Sequence, residues 1–420
     1  MFWLIENKQQ LKQFAVRNLS EIFVEIIPYS PFTHPAESSI SCIYIRPINH
    51  YKGYLIPIYH TEVEEKLFED EVFLILKQAQ KIYVKDKKEF LHYFPLRNAV
   101  DLTLLNPTYI QLTAAHEFLY QKYPTHPSVN TLVPIVKHYE YCESLFEELE
   151  HLIEQPVNEF YNHKATWVFY GIEQSGLFVD NSVYNQHFNQ DIQTDVVYTQ
   201  YNFKTLTTRP SNTFNGINYA ALNKENGCRS SFTPRNTKLV EFDISAYHPT
   251  LVGWLINYDS IDFSNFYSAI SKEMGISESQ AKESTFRQLY GGIQKEYENI
   301  EYFSKTKKYI YDIWEEFNNS GQVIVPISGY CFKKDKLDNM NPQKLFNYIL
   351  QNLETSYNIC ILWEIFKILK GKNTKLVMYT YDAFLFDWDS KEVDILYQIE
   401  NILSANNLHY KVKNGKNYDF

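Results

Sequence analysis

The stretch 378-MYTYDAFLFDWD-389 narrows the possible folds more than any other part of this chain. Two apolar runs, 375–379 and 383–388, alternate bulky residues across a short break, which predicts an antiparallel hairpin. The break lacks the Asn-Gly or Asp-Gly that tight hairpins favour and carries a carboxylate, Asp382, instead. A lone turn aspartate is ordinarily solvated and bonded to its own backbone. A second strand-like run, 238-KLVEFDI-244, also ends on an aspartate, Asp243. Two aspartates fixed on strands are hard oxygen ligands of the kind that hold paired Mg²⁺ ions about 3.5–4 Å apart.

Composition limits what surrounds this pair. A chain of 420 residues can form two or three domains with a substantial core, and 16% aromatic content argues against long disorder. The net charge of −10 disfavours a protein that coats nucleic acid nonspecifically, but it permits a locally basic cleft. The clusters 85-KDKK-88, 305-KTKK-308 and 333-KKDK-336 read as solvated faces. The five cysteines are too dispersed for a metal knuckle and fit a reducing compartment. No signal-peptide layout and no membrane-length apolar run is visible, so a soluble cytoplasmic protein with no membrane contact is expected.

Residues 20–150 read as α/β: strands 40–45, 54–59 and 81–84 around a helix within 62–80, with a further helix over 136–155. The Asn/Thr/Ser-rich stretch 185–236 should be extended or looped. Beyond 237 the pattern predicts a strand 238–244 and helices 264–273, 277–290 and 300–318. A hairpin-like 321–335, a long helix 343–370, the 375–388 hairpin, a helix 391–404 and a last strand 408–413 follow.

The helix 281-AKESTFRQLYGG-292 adds chemistry. Lys282, Phe286 and Tyr290 recur every four positions and share one face. An ammonium one turn from an aromatic ring suits a nucleoside triphosphate, although the same spacing also describes a packed face with a snorkelling lysine.

Taken together, these three blocks resemble motifs A, B and C of the family A DNA polymerases, the DNA polymerase I kind. Asp243, then Lys282, Phe286 and Tyr290-Gly291, then Asp382 occur in that family's order. The phrase 172-IEQSGLFVD-180 resembles the opening of the family's polymerase part. The run 209–232, with Arg209 and Arg229, resembles its minor-groove segment. Asn347 and Gln351 match an Asn-x₃-Gln helix beside the template, and 414-NGKNYDF-420 resembles the family's closing phrase.

The resemblance implies an α/β (α+β) right-hand fold. A degenerate RNase H-like 3′→5′ exonuclease-type domain would occupy 1–155 and a polymerase domain 156–420. Within the latter lie a palm (156–255 and 340–420), a shortened thumb (181–208) and fingers (256–339). It further implies addition of dNTPs to a primer 3′-hydroxyl, with release of pyrophosphate, on primer–template DNA. Two Mg²⁺ ions would be held by Asp243, Asp382 and Ile244. Lys282 would neutralise the triphosphate, Phe286 would pack on the nucleotide, and Tyr290 would lie near the primer–template junction. Arg209 and Gln351 would probe the minor groove, with Arg229 and Asn347 also on DNA.

Several positions depart from the family. His248 stands where motif A has Glu, keeping a bulky gate against the ribose 2′-hydroxyl. Ala383 replaces the Glu after the motif C aspartate. Glu278 replaces an Arg before Lys282, with Arg287 as a candidate substitute. The short thumb implies low processivity, or a separate partner that replaces it. In the N-terminal part only Glu25 of 23-FVEIIPYS-30 is acidic where the family has paired carboxylates, leaving Asp101 and Glu143, so proofreading is not expected. The compact, Asn/Lys/Ile-rich chain fits a phage or plasmid enzyme. Alternatives are priming, RNA synthesis or untemplated addition on the same fold, or a non-catalytic DNA-binding protein.

Overall fold

The structure, a computed structural model, describes residues 3–16, 19–65, 67–104, 112–189, 191–213 and 218–420. The chain forms two compact units. Unit 1 comprises Met1–Gln174, Tyr198–Lys204 and Asn212–Ile217; unit 2 comprises Ser175–Val197, Thr205–Ser211 and Asn218–Phe420. Part of the 209–232 segment, residues 214–217, lies outside the described residues.

Unit 1 is built on a six-stranded mixed sheet in the order Trp3–Leu4, Tyr54–Pro57, Ile40–Pro47, Glu21–Pro28, Lys81–Val84, Ala99–Asp101. Strict alternation along the strands sends Ile22, Val24, Ile43, Ile45, Ile82 and Val84 to one face and Phe23, Ile27, Cys42, Tyr44 and Tyr83 to the other. Helices Lys8–Ala15 and Glu69–Leu76 cover the first face, and Ile135–Leu149 covers the second. The helix expected within 62–80 is confined to Glu69–Leu76. The residues before it serve other helices: Glu62 accepts from the Ile135 N–H at 3.2 Å and Glu65 from the Lys8 N–H at 3.1 Å. Each carboxylate thus meets the electropositive first residue of another helix, which outweighs its own local helical preference.

Unit 2 holds an antiparallel four-stranded sheet in the order Lys375–Thr380, Ala383–Trp388, Lys238–Ile244, Tyr410–Gly415. The hairpin and the 238–244 strand fall where alternation places them. Leu239, Phe242, Leu376, Phe384 and Phe386 are fully buried. Against this sheet lies the 28-residue helix Pro342–Leu369, started by the Asn341 cap and by Pro342 in its first turn. Its buried residues surround it on all sides, which marks it as a core helix. They include Asn352, Glu354, Thr355, Ser356 and Asn358, an unusual polar content for such a position. The Lys282 helix, Glu278–Gly291, begins with a reciprocal Ser277–Gln280 cap and ends at Gly292, whose φ of 104° a side chain would resist. No described helix is long and apolar enough to cross a membrane.

Candidate active site

The two aspartates become neighbours through backbone pairing. Asp243 lies opposite Ala383 in the sheet, and the Ile244 N–H donates to the Asp382 carbonyl at 2.8 Å. Asp382 sits in a two-residue turn after Tyr381, whose φ of 63° is a conformation that a bulky residue rarely adopts. Asn358 of the long helix holds this turn. Its Nδ2 donates to the Tyr381 carbonyl at 2.6 Å and to the Tyr379 hydroxyl at 2.9 Å, while its Oδ1 accepts from Tyr247 at 2.6 Å. One buried amide therefore clamps the hairpin tip to the helix that follows Asp243. The other hairpin carboxylates are structural: Asp387 accepts the N–H groups of Arg235 and Asn236, and Asp389 accepts that of Lys391.

A cavity of about 480 Å³ opens at this point. Asp243, Ile244, His248, Lys282, Phe286, Tyr290, Arg209 and Asp382 all line it. Phe286 and Tyr290 stack in parallel with centroids 6.0 Å apart, giving the helix face a flat aromatic wall. The Lys282 ammonium lies 5.9 Å from the Tyr267 ring centroid. Glu278 also lines the cavity, so a carboxylate does face the space beside Lys282. Arg287 is not in the wall of this cavity; it is 65% exposed and lies 3.8 Å from Glu283.

Three residues expected on DNA have partners within the chain. Arg229 lies over the Tyr418 ring at 4.7 Å and donates to the Leu222 carbonyl. Asn347 donates to the Tyr290 carbonyl at 3.1 Å and so steadies the end of the Lys282 helix. Gln351 accepts from Thr207 at 3.1 Å.

Glu354 lines the cavity and escapes sequence reasoning altogether. It is 3% exposed and lies 3.0 Å from both Arg209 Nε and His248 Nε2, as ion pairs off the axis of good hydrogen bonds. The only signal for it was the polar run 352–358 inside an otherwise apolar helix. Burial would raise its carboxyl, but His248 and Arg209 together hold it below its ordinary value. His248 in turn bonds to the Tyr290 hydroxyl, and the Arg209 guanidinium stacks 3.7 Å from the Tyr381 ring centroid.

Asp382 is electrostatically perturbed. Its carboxyl faces the solvent of the cavity yet is crowded by protein, and it is pushed up to about 6, by desolvation first and then by Glu354 and Asp243. Clustered carboxylates of this kind match the hard oxygen donors that a Mg²⁺ ion takes. On Asp243 a cation of the chain already competes: Lys413 Nζ lies 3.0 Å from Asp243 Oδ2 and 3.1 Å from Glu241 Oε1. Tyr418 holds the other Glu241 oxygen at 2.8 Å. A second cavity of about 580 Å³ in the same unit, around Trp254, Tyr258 and Asp259, is larger but has no lysine or arginine in its wall. Its wall carries two carboxylates, Asp259 and Asp262, which would repel phosphates.

In unit 1 the leftover acidic positions have partners within the chain. Glu143 is tied to Tyr44, Arg46 and the Gly53 N–H, and Asp101 to Lys204 and the Lys87 and Thr103 N–H groups. The carboxylates that converge are Glu25, Asp86 and Glu89, around a pocket of about 20 Å³ that also contains Lys85. A buried Cys42–His60–His138 group is packed core: His60 and His138 spend their ring nitrogens on Val133, Glu62, Asn130 and His116.

Comparison with solved structures finds the POL domain of Pol1 from M. smegmatis, in complex with DNA primer-template and dNTP. The TM-score is 0.69 at 14% sequence identity, over 100% of this chain and 99% of that one. The chain has the fold of a DNA polymerase domain. No protein-family model and no curated protein sequence matches it.

Proposed function

We infer that this chain is a template-directed DNA polymerase of the DNA polymerase I kind, extending a primer 3′-hydroxyl with dNTPs. One observation carries the reading. Asp243, Lys282, Phe286, Tyr290 and Asp382, spread over 140 positions of sequence, line one cavity in a chain with a DNA polymerase fold. Two Mg²⁺ ions held by Asp243, Asp382 and Ile244 would supply activation of the hydroxyl and neutralisation of the leaving pyrophosphate.

The chain's own residues do the rest. Asn358 fixes the Asp382 turn, so the second carboxylate is positioned before substrate arrives. Lys282 offers an ammonium to the triphosphate, and the Phe286–Tyr290 wall offers a flat surface to base and sugar. His248 narrows the cavity where the sugar would lie, which favours deoxynucleotides. Glu278 on the same wall opposes the triphosphate and should weaken nucleotide binding. Palm, fingers and a short thumb would then correspond to the sheet, the Lys282 helix region and residues 181–208. The short thumb implies a distributive enzyme or a processivity partner, in a phage-type replication setting.

Unit 1 is read as an exonuclease-like domain without proofreading. Its converging carboxylates share a space of water size with Lys85, and Lys204 already neutralises Asp86 at 3.1 Å.

Primer extension with Mg²⁺ tests the reading, with dNTPs and rNTPs supplied separately to wild type and Asp382→Asn. Template-matched dNTP addition that disappears in the variant is the expected result. Equal use of rNTPs would favour an RNA-synthesising or priming enzyme. No extension by wild type, with DNA binding intact, would favour the non-catalytic alternative.

A further inference from the structure

Both ring nitrogens of His248 are engaged inside the protein. Nδ1 meets the Tyr290 hydroxyl and Nε2 lies 3.0 Å from Glu354 Oε1. An ionised carboxylate only accepts, so a proton belongs on Nε2, whether the ring is neutral or charged. The neutral ring then accepts the Tyr290 O–H at Nδ1, and the charged ring donates there. In either state the ring has only carbon left to offer the cavity it lines.

Glu354 is well placed to enforce this. It projects from the middle of a buried helix, and its second oxygen is held by Arg209 at 3.0 Å. The carboxylate therefore has little freedom to follow a wandering imidazole, and the imidazole must come to it.

We propose that Glu354 is a specificity-determining positioning residue. By holding Nε2–H of His248 it fixes the ring's rotamer and tautomer, so that a ribose 2′-hydroxyl meets neither room nor a hydrogen-bond partner. A hydroxyl enclosed without a partner is penalised more than one that is merely crowded. Without Glu354, Nε2 becomes free to turn toward the cavity and accept or donate to that hydroxyl. The proposal rests on the reading that His248 meets the nucleotide sugar, and the two can fail separately.

The test is single-nucleotide incorporation by the full chain on a primer–template, comparing kcat/KM for a dNTP with that for the matching rNTP. Wild type, His248→Ala, Glu354→Gln, Glu354→Asp and the Gln/Ala double variant are measured, with a thermal melt of each. Glu354→Gln should lower discrimination about tenfold, mainly through a lower KM for the rNTP. Glu354→Asp, which keeps the charge, should retain most of the discrimination even if the Gln variant folds poorly. The double variant should discriminate no worse than His248→Ala alone, because the two residues act as one unit.

If His248→Ala lowers discrimination and Glu354→Gln does not, Glu354 is only structural and the proposal falls. Additive losses in the double variant would overturn it too, by showing that Glu354 acts through another route. If His248→Ala leaves discrimination unchanged, the sugar-gate reading itself fails.

Discussion

Each unit gathers carboxylates around its sheet, but the two meet the resulting repulsion in different surroundings. In unit 1, Asp86 and Asp101 share the Lys204 ammonium at 3.1 Å each, and Lys85 sits among Glu25, Asp86 and Glu89 in about 20 Å³. In unit 2, Asp243 and Asp382 line about 480 Å³, and burial first, then Glu354 and Asp243, raise the Asp382 carboxyl. The first cluster encloses its lysine in a space of water size; the second lines a cavity with room for an outside cation. That difference separates a structural acidic cluster from a candidate catalytic one better than the number of carboxylates does.

The largest test of the contrast is catalytic. Asp243→Asn should lower primer extension by roughly a thousandfold or more, because a lost metal ligand removes several kcal/mol of transition-state stabilisation. The Glu25→Gln/Glu89→Gln double variant should extend primers at the wild-type rate. A comparable loss in that variant would erase the distinction between the clusters.

The sequence revealed the open cluster more fully than the closed one, for physical reasons. Strand 238–244 and the Asp382 hairpin are set by period-two alternation, and the structure keeps their expected bounds almost unchanged. The Lys282 face is legible because i, i+4 spacing brings side chains together within a single helix. Glu354 was not legible: its partners, Arg209 and His248, lie more than 100 positions away, and helical periodicity alone assigns it to an apolar core. Asp86 and Glu89 were hidden in a lysine-rich run that reads as a solvated face, while Asp101 and Glu143 drew attention as isolated acids. The 62–80 helix was overestimated because its early glutamates bond to other helices, which no local pattern records.

The next test concerns stability. Lys204 is 15% exposed and bonds Asp86, Asp101 and the Thr103 hydroxyl at 2.9 Å. Lys204→Met should destabilise unit 1 by about 2 kcal/mol, since it leaves the buried Asp101 and the half-buried Asp86 without their cation. Urea unfolding monitored in unit 1 measures this. A loss below about 1 kcal/mol would mean that Lys85 and Lys88 carry the neutralisation instead.

A smaller effect depends on pH. Desolvation pushes the Glu25 carboxyl up to about 7, against the lowering influence of Lys85. Between its unfolded value of 4.5 and about 7, the folded chain keeps a proton that the unfolded chain sheds. Stability from this group is therefore present at low pH and lost as pH rises through 7. Glu25→Gln should match wild type near pH 5 and exceed it by about 1 kcal/mol at pH 8. Asp382→Asn should show the same sign in a lower window, from 3.8 to about 6, with a smaller gain because the carboxyl faces solvent. Denaturation midpoints across pH 4–9 distinguish the two windows.

The smallest effect probes the one place where unit 2 resembles unit 1. Lys413 pairs with Asp243 much as Lys204 pairs with Asp86, but its side chain is 34% exposed and it sits on the edge strand Tyr410–Gly415. An exposed pair of this kind is worth under about 1 kcal/mol, so the ammonium can leave Asp243 at little cost. Lys413→Met should accordingly leave stability almost unchanged. It should tighten Mn²⁺ binding by about threefold in calorimetry, because a competing positive charge has been removed from a metal ligand. Weaker Mn²⁺ binding in the variant would give Lys413 the opposite role, that of a brace orienting Asp243 toward the metal. The cation of unit 2 would then be as fixed as that of unit 1, and the openness of the site would rest on Asp382 alone.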